Sequence, residues 1–129
     1  AFVNSLEHIP GVLLGSLTRS IFGLKVVGNS MNRRGIEDGN VVLVQSIFHA
    51  PELRHGDIVA VRRRQGHLTA ITVKELRIVD GRQALWPNST DPNFQKPLKF
   101  DPDTHLAEDG TTVEIIGLVQ SAIRSFARL

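Results

Sequence analysis

Leu76-Arg77-Ile78-Val79-Asp80-Gly81-Arg82-Gln83-Ala84-Leu85 decides the fold class. Two short runs with spaced apolar residues flank Asp80-Gly81, a dipeptide that tolerates the positive φ of a tight hairpin turn. The same punctuation recurs at Asp38-Gly39-Asn40, His55-Gly56-Asp57, Gln65-Gly66 and Asp109-Gly110, all of it turn chemistry. Between these turns lie strand-sized runs at Leu24–Val27, Val41–Gln45, Asp57–Arg63, Leu68–Ile78, Gln83–Trp86, Val113–Ile116 and Leu118–Phe126. The run from Leu68 is long enough to call for a bend or bulge.

Helix is scarce. Gly11–Ser20 is the one candidate for a short helix, and Ser30–Arg34 for a single turn. The stretch from Pro87 to Asp103 holds four prolines, at 87, 92, 97 and 102, so it reads as loop and edge strand. In the last segment Leu118, Ala122 and Phe126 would share a helical face, but β-branched Val119 and Ile123 favour a strand. A strand there, if it lay at an edge, would be available to a second copy of the chain and so favour a homodimer. The expected architecture is mainly β: a twisted, partly closed β fold with little helix and proline-blunted edges.

At 129 residues the chain makes one domain over residues 1–129, long enough to bury a core. Hydrophobic content of 41% and charged content of 22% are those of an ordinary globular protein. The absence of cysteine excludes disulfides, thiolate zinc sites and cysteine nucleophiles, and fits a cytoplasmic location. No apolar run approaches the roughly 18 residues of a membrane span, and no basic segment leads into a long apolar one, as a signal peptide would. A net charge of +2 is too mild to announce a nucleic-acid surface. The local run Arg62-Arg63-Arg64 reads as a solvated strand end rather than a phosphate patch.

Two residues stand in settings that permit chemistry. Ser30 lies in Gly28-Asn29-Ser30-Met31 with Gly35 close behind, and Lys74 closes the apolar run Ala70-Ile71-Thr72-Val73 ahead of Leu76. A serine hydroxyl is a weak nucleophile until a base takes its proton. None of His8, His49, His55, His67 and His105 falls in a triad or metal-site spacing, so each reads as a surface or turn histidine. Lysine can act as the base if burial lowers its pKa toward 7–8. The bland readings are that Ser30 caps the Met31–Arg34 turn and that Lys74 points outward, paired with Glu75 or Glu52. A serine at the start of a helical turn also presents backbone N–H groups to an incoming carbonyl oxygen.

These residues belong to a wider pattern. Gly28-Asn29-Ser30-Met31 followed by Gly35-Ile36-Glu37-Asp38-Gly39-Asn40-Val41-Val42-Leu43-Val44 resembles the nucleophile box of the LexA/UmuD/phage-repressor serine peptidases. His55-Gly56-Asp57-Ile58-Val59-Ala60-Val61 is similar to their next strand, and Thr72-Val73-Lys74-Glu75-Leu76 to their lysine box, usually T-V-K-R-L. Leu85-Trp86-Pro87-Asn88-Ser89 and Ile115-Ile116-Gly117-Leu118-Val119 resemble the two boxes that follow. Order and spacing agree over about residues 24–126.

The resemblance implies a LexA-like fold with Ser30 as nucleophile and Lys74 as general base. Backbone N–H groups of Ser30 and Asn29 would form the oxyanion hole, with no metal and no cofactor. It implies the C-terminal autopeptidase and dimerisation domain of a repressor of SOS or prophage type. Its substrate would be its own N-terminal cleavage loop, its DNA contact a helix-turn-helix domain outside this chain, and the RecA filament on single-stranded DNA the promoter of cleavage. A UmuD-like polymerase accessory protein and a non-cleaving dimerisation module share the fold. A type I signal peptidase shares the Ser-Met box and lysine base, but neither a membrane anchor nor a proline soon after Ser-Met is present.

Three departures stand out. No Ala-Gly or Cys-Gly pair, the usual scissile bond of that family, occurs in the sequence. Pro10-Gly11 is the one candidate remnant of a cleavage region ahead of Ser30. No helix-turn-helix fits beside the peptidase boxes, which suggests a piece or cleavage product of a longer protein.

Overall fold

The computed structural model describes residues 2–6, 20–27, 30–93 and 95–124. Eight strands form one antiparallel sheet: β1 (Phe2–Leu6), β2 (Ile21–Val27), β3 (Val41–Ser46), β4 (Ile58–Gln65), β5 (Leu68–Val79), β6 (Arg82–Trp86), β7 (Leu98–Lys99) and β8 (Thr112–Ile123). Helix among the described residues is limited to one 3-10 turn, Asn32–Arg34. The mainly-β expectation holds. The helix expected over Gly11–Ser20 lies outside the described residues except for Ser20, as do Ser125 and Phe126 of the last expected strand.

The spatial order is β1-β2-β3-β8-β4-β5-β6-β7, and β1 also pairs with β5. Strands β1, β2, β3, β8, β4 and β5 therefore close a ring, and β6 and β7 continue from it as an arm. The closing seam is short, with Phe2 opposite Thr72 and Val3 opposite Ile71. Asp80 and Gly81 join β5 to β6 with φ of 53° and 75°, the left-handed pair that a two-residue hairpin requires.

Two apolar cores explain why the strands read as they do. The first lies inside the ring, where Leu24 and Val26 of β2, Val42 and Val44 of β3, Ala60 of β4, and Ile71 and Val73 of β5 meet. Met31 and Ile36, from either end of the turn before β3, join it. The second core lies on the other face of β4 and β5, where Val59, Val61, Leu76, Leu85, Ala107 and Val113 pack with Phe100 and Leu98. Strand β4 is thus buried on both faces, and Ile58-Val59-Ala60-Val61 is a continuous apolar run rather than an alternating one. Each fully buried Val or Leu stabilises the fold by roughly 1.5–3 kcal/mol relative to exposure.

One expectation about the C-terminal segment needs correction. Val113–Ile116 and Leu118–Phe126 do not form separate strands; Thr112–Ile123 runs through Gly117 as one. Register shifts against β3 (between Leu43 and Val44) and against β4 (between Ala60 and Val61) let so long a strand bend around the ring. Its first part, Thr112–Leu118, pairs with β4 and its last, Gly117–Ile123, with β3, so past Leu118 the edge away from β3 has no strand partner among the described residues. No helix among the described residues is long and apolar enough to cross a membrane.

Gly117 shows what the bend demands. A Cβ there would lie 2.4 Å from Val44 Cγ1 and 2.5 Å from the Gln45 carbonyl oxygen, distances no real side chain tolerates. Gly117→Ala is expected to destabilise the fold by about 1–3 kcal/mol, measured as a fall in the urea midpoint. An unchanged midpoint would contradict the close crossing of β3 and β8.

Candidate functional site

Strand β5 organises the site. On one edge it pairs with β4 from Leu68 to Glu75. Its other edge is shared: β1 takes Ile71 and Thr72, and β6 takes Glu75 to Val79. Between these partners, Val73 and Lys74 have no strand partner on that edge among the described residues. The β6 ladder stops after Trp86 because Pro87 has no N–H to offer.

Lys74 lies opposite Val59 in the β4–β5 ladder, so both side chains stand on the face of the second core. The apolar surroundings are the main reason its pKa falls from 10.5 to about 8, and the positive charge of Arg63 adds to the fall. The pairing expected for an outward lysine is not made: Glu75 is engaged by Arg34 and Arg77 instead.

Ser30 lies just before the 3-10 turn and is fully buried. The segment leaving β6 holds it in place. Asn88 N–H donates to the Ser30 carbonyl at 2.7 Å, and Arg33 N–H donates to the Asn88 carbonyl at 2.9 Å. Asn32 adds a two-way clasp with Thr90: its amide Nδ2 donates to Thr90 Oγ1 at 2.9 Å, and Thr90 N–H donates to Asn32 Oδ1 at 2.9 Å. Met31, the next residue, enters the first core alongside Val73. The turn bearing Ser30 is therefore docked where β6 ends against β5, level with the stretch that carries Lys74.

Ser30 does not cap the turn. Met31 occupies the capping position and makes no side-chain cap bond, while Ser30 Oγ is buried with no hydrogen-bond partner among the described residues. Serine and lysine are brought to the same corner of the fold but are not hydrogen-bonded to each other. A buried hydroxyl without a partner costs about 1–3 kcal/mol, and such exceptions concentrate at functional positions. Asn29 and Gly28 lie outside the described residues.

Two of the histidines are engaged elsewhere. His55 Nδ1 accepts the Ile78 N–H at 2.8 Å, and a ring nitrogen of His105 lies 3.1 Å from the Val113 carbonyl. The arginine run is largely neutralised: Arg62 pairs with Glu114 at 3.2 Å, and Arg63 pairs with Asp109. The clasps made by Asn32 and by Glu75 were not legible in the sequence, because each joins positions far apart in the chain that no local pattern links.

Burial of Lys74 has a thermodynamic consequence. Between pH 8 and 10.5 the unfolded chain holds a proton that the folded chain releases, so folding stability rises with pH across this window. Below pH 8 the full penalty, about 3 kcal/mol, is present. Lys74→Met is expected to stabilise the protein by an amount of this order at pH 7, with the gain fading as pH approaches 10.5. Urea unfolding at a series of pH values measures it; a gain independent of pH would contradict the burial of a titrating amine.

A family model described as Peptidase S24-like matches residues 5–119. No curated protein matches the chain. The matched span contains both Ser30 and Lys74 and runs from β1 into β8. Together with the ordered boxes and the β fold, it shows that the chain belongs to the Peptidase S24-like family, that of LexA, UmuD and the phage repressors.

Proposed function

We propose that this chain is the C-terminal autopeptidase and dimerisation domain of a LexA-like transcriptional repressor, with Ser30 and Lys74 as its Ser-Lys dyad. The observation that carries this reading is the pairing of opposites at one corner: a buried serine hydroxyl with no partner among the described residues, and a lysine whose pKa is lowered to about 8. Family membership supplies the reaction class.

Neutral Lys74 Nζ accepts the proton of Ser30 Oγ as the oxygen attacks the scissile carbonyl carbon. Negative charge moves to the carbonyl oxygen, where N–H groups of Ser30 and Asn29 receive it. The tetrahedral intermediate collapses, the C–N bond breaks, and Lys74 returns the proton to the departing amine. Water then attacks the acyl-serine, with Lys74 again as base, and frees Ser30. The edge of β5 at Val73 and Lys74, without a strand partner among the described residues, suits an extended peptide, which would pair there by strand addition and set its carbonyl before Ser30.

In this reading the substrate is the protein's own N-terminal cleavage loop. DNA is bound by a domain outside this chain, the protein is a cytoplasmic homodimer, and a RecA filament on single-stranded DNA promotes the cut. A second reading, a non-cleaving dimerisation module of the same fold, draws support from the lack of any Ala-Gly or Cys-Gly pair. A UmuD-like accessory protein would differ in carrying no DNA-binding domain.

Alkaline incubation of the full-length protein separates these readings. Self-cleavage should rise with pH to a plateau with a midpoint near 8, following deprotonation of Lys74. Ser30→Ala and Lys74→Ala should each lower the plateau rate by about 10²-fold or more. A wild-type protein that stays intact at high pH and with activated RecA would favour the non-cleaving module.

A further inference from the structure

Glu75 directly follows the lysine in β5, and its carboxylate is buried. A buried carboxylate is tolerated only when charged or hydrogen-bonding partners replace water. Here each oxygen has its own guanidinium: Oε1 accepts from Arg34 Nη1, and Oε2 accepts from Arg77 Nε at 2.8 Å. Arg77 in turn lies over the Trp86 ring, 4.7 Å from its centre, and Trp86 is the β6 partner of Glu75 across the ladder. The carboxylate is thereby fixed from the β6 side.

Arg34 is different in position: it ends the turn that Ser30 begins. Other polar links of that turn run to residues 88–90, through Asn88 and Thr90, and Arg34 Nη1 also donates to the Gly56 carbonyl at 3.5 Å. The ion pair of Arg34 with Glu75 joins the turn to β5 itself.

We infer that Glu75 is a positioning residue, which through Arg34 holds the Ser30 turn against the strand that carries Lys74. The inference rests on the dyad reading for its catalytic meaning; the clamp itself stands on the geometry. A displacement of the serine by about 1 Å is enough to slow such chemistry on the order of 10²-fold. Val73 and Met31 supply apolar contact between strand and turn, but apolar contact fixes distance better than direction. A two-ended charged link fixes direction as well.

The test uses Glu75→Gln, Arg34→Gln and the double variant in the full-length protein, with two readouts. The first is phosphonylation of Ser30 by an alkyl fluorophosphonate, in which Ser30 Oγ bonds to phosphorus, fluoride leaves and Lys74 takes the proton. Both single variants should label at least tenfold more slowly at the high-pH plateau, with the midpoint still near 8. The double variant should be no slower than either single one, because all three break the same link. A plateau within twofold of wild type, or losses that multiply in the double variant, would overturn the proposal.

The second readout is amide hydrogen exchange. Amides of residues 31–35 should exchange at least tenfold faster in each variant, while those of β3 and β8 stay unchanged. If the wild-type protein neither takes label at Ser30 nor cleaves itself at any pH, the dyad reading falls, and exchange alone decides on the clamp: unchanged exchange at residues 31–35 overturns it. Arg34 is more exposed than Glu75, so Arg34→Gln keeps the test open should Glu75→Gln fail to fold.

Discussion

The long strand β5 is the constraint on which the rest of the structure depends. It serves two bodies at once, closing the ring through β1 and launching the arm through β6. No strand can pair with two neighbours along the same stretch of one edge, and where the partners change Val73 and Lys74 have no strand partner on that edge among the described residues. Lys74 lies at that change of partners, and its opposite edge is held by β4. The second core then covers its face, which separates the amine from water and lowers its pKa. Strand pairing thus sets where the lysine stands, and packing sets its charge.

The serine turn completes the corner by a different route. Met31 and Ile36 anchor it in the ring interior, as apolar residues at either end of a short loop. Asn88, Thr90 and Glu75 then fix its orientation with polar links. Burying a hydroxyl without a partner among the described residues, and desolvating an amine, both oppose folding, and the surrounding closed sheet offsets that cost. This is the usual relation between a stable scaffold and a strained site.

Much of this was legible in the chain because its signals are local. The Asp80-Gly81 turn, the β-branched runs and the proline-rich stretch each state their own conformation, and the structure agrees with them at β3 to β6. Ser30 and Lys74 were legible only as members of an ordered set of boxes, since either residue alone reads as a cap or a surface charge. What the sequence concealed is non-local. The C-terminal run reads as two strands, yet it is one that crosses from β4 to β3, because its course depends on pairings with residues about 75 positions away, as between Gln45 and Gln120. Glu75 reads as an ordinary charged neighbour of Lys74, and its grip on Arg34 appears only when the turn folds back onto β5. Strand β1, short and paired at both edges of the ring, carries no turn signal that would announce it.

The state of Lys74 decides whether this corner can act on a peptide bond, and titration of its side chain measures that state directly. In protein carrying ¹³C-labelled lysine, the Cε resonance of Lys74 is identified by its loss in Lys74→Arg and separated from those of Lys25, Lys96 and Lys99. A midpoint about 8 is expected for Lys74. A midpoint at the ordinary value near 10.4 would mean a solvated, protonated amine at neutral pH, and would contradict its assignment as the general base for Ser30.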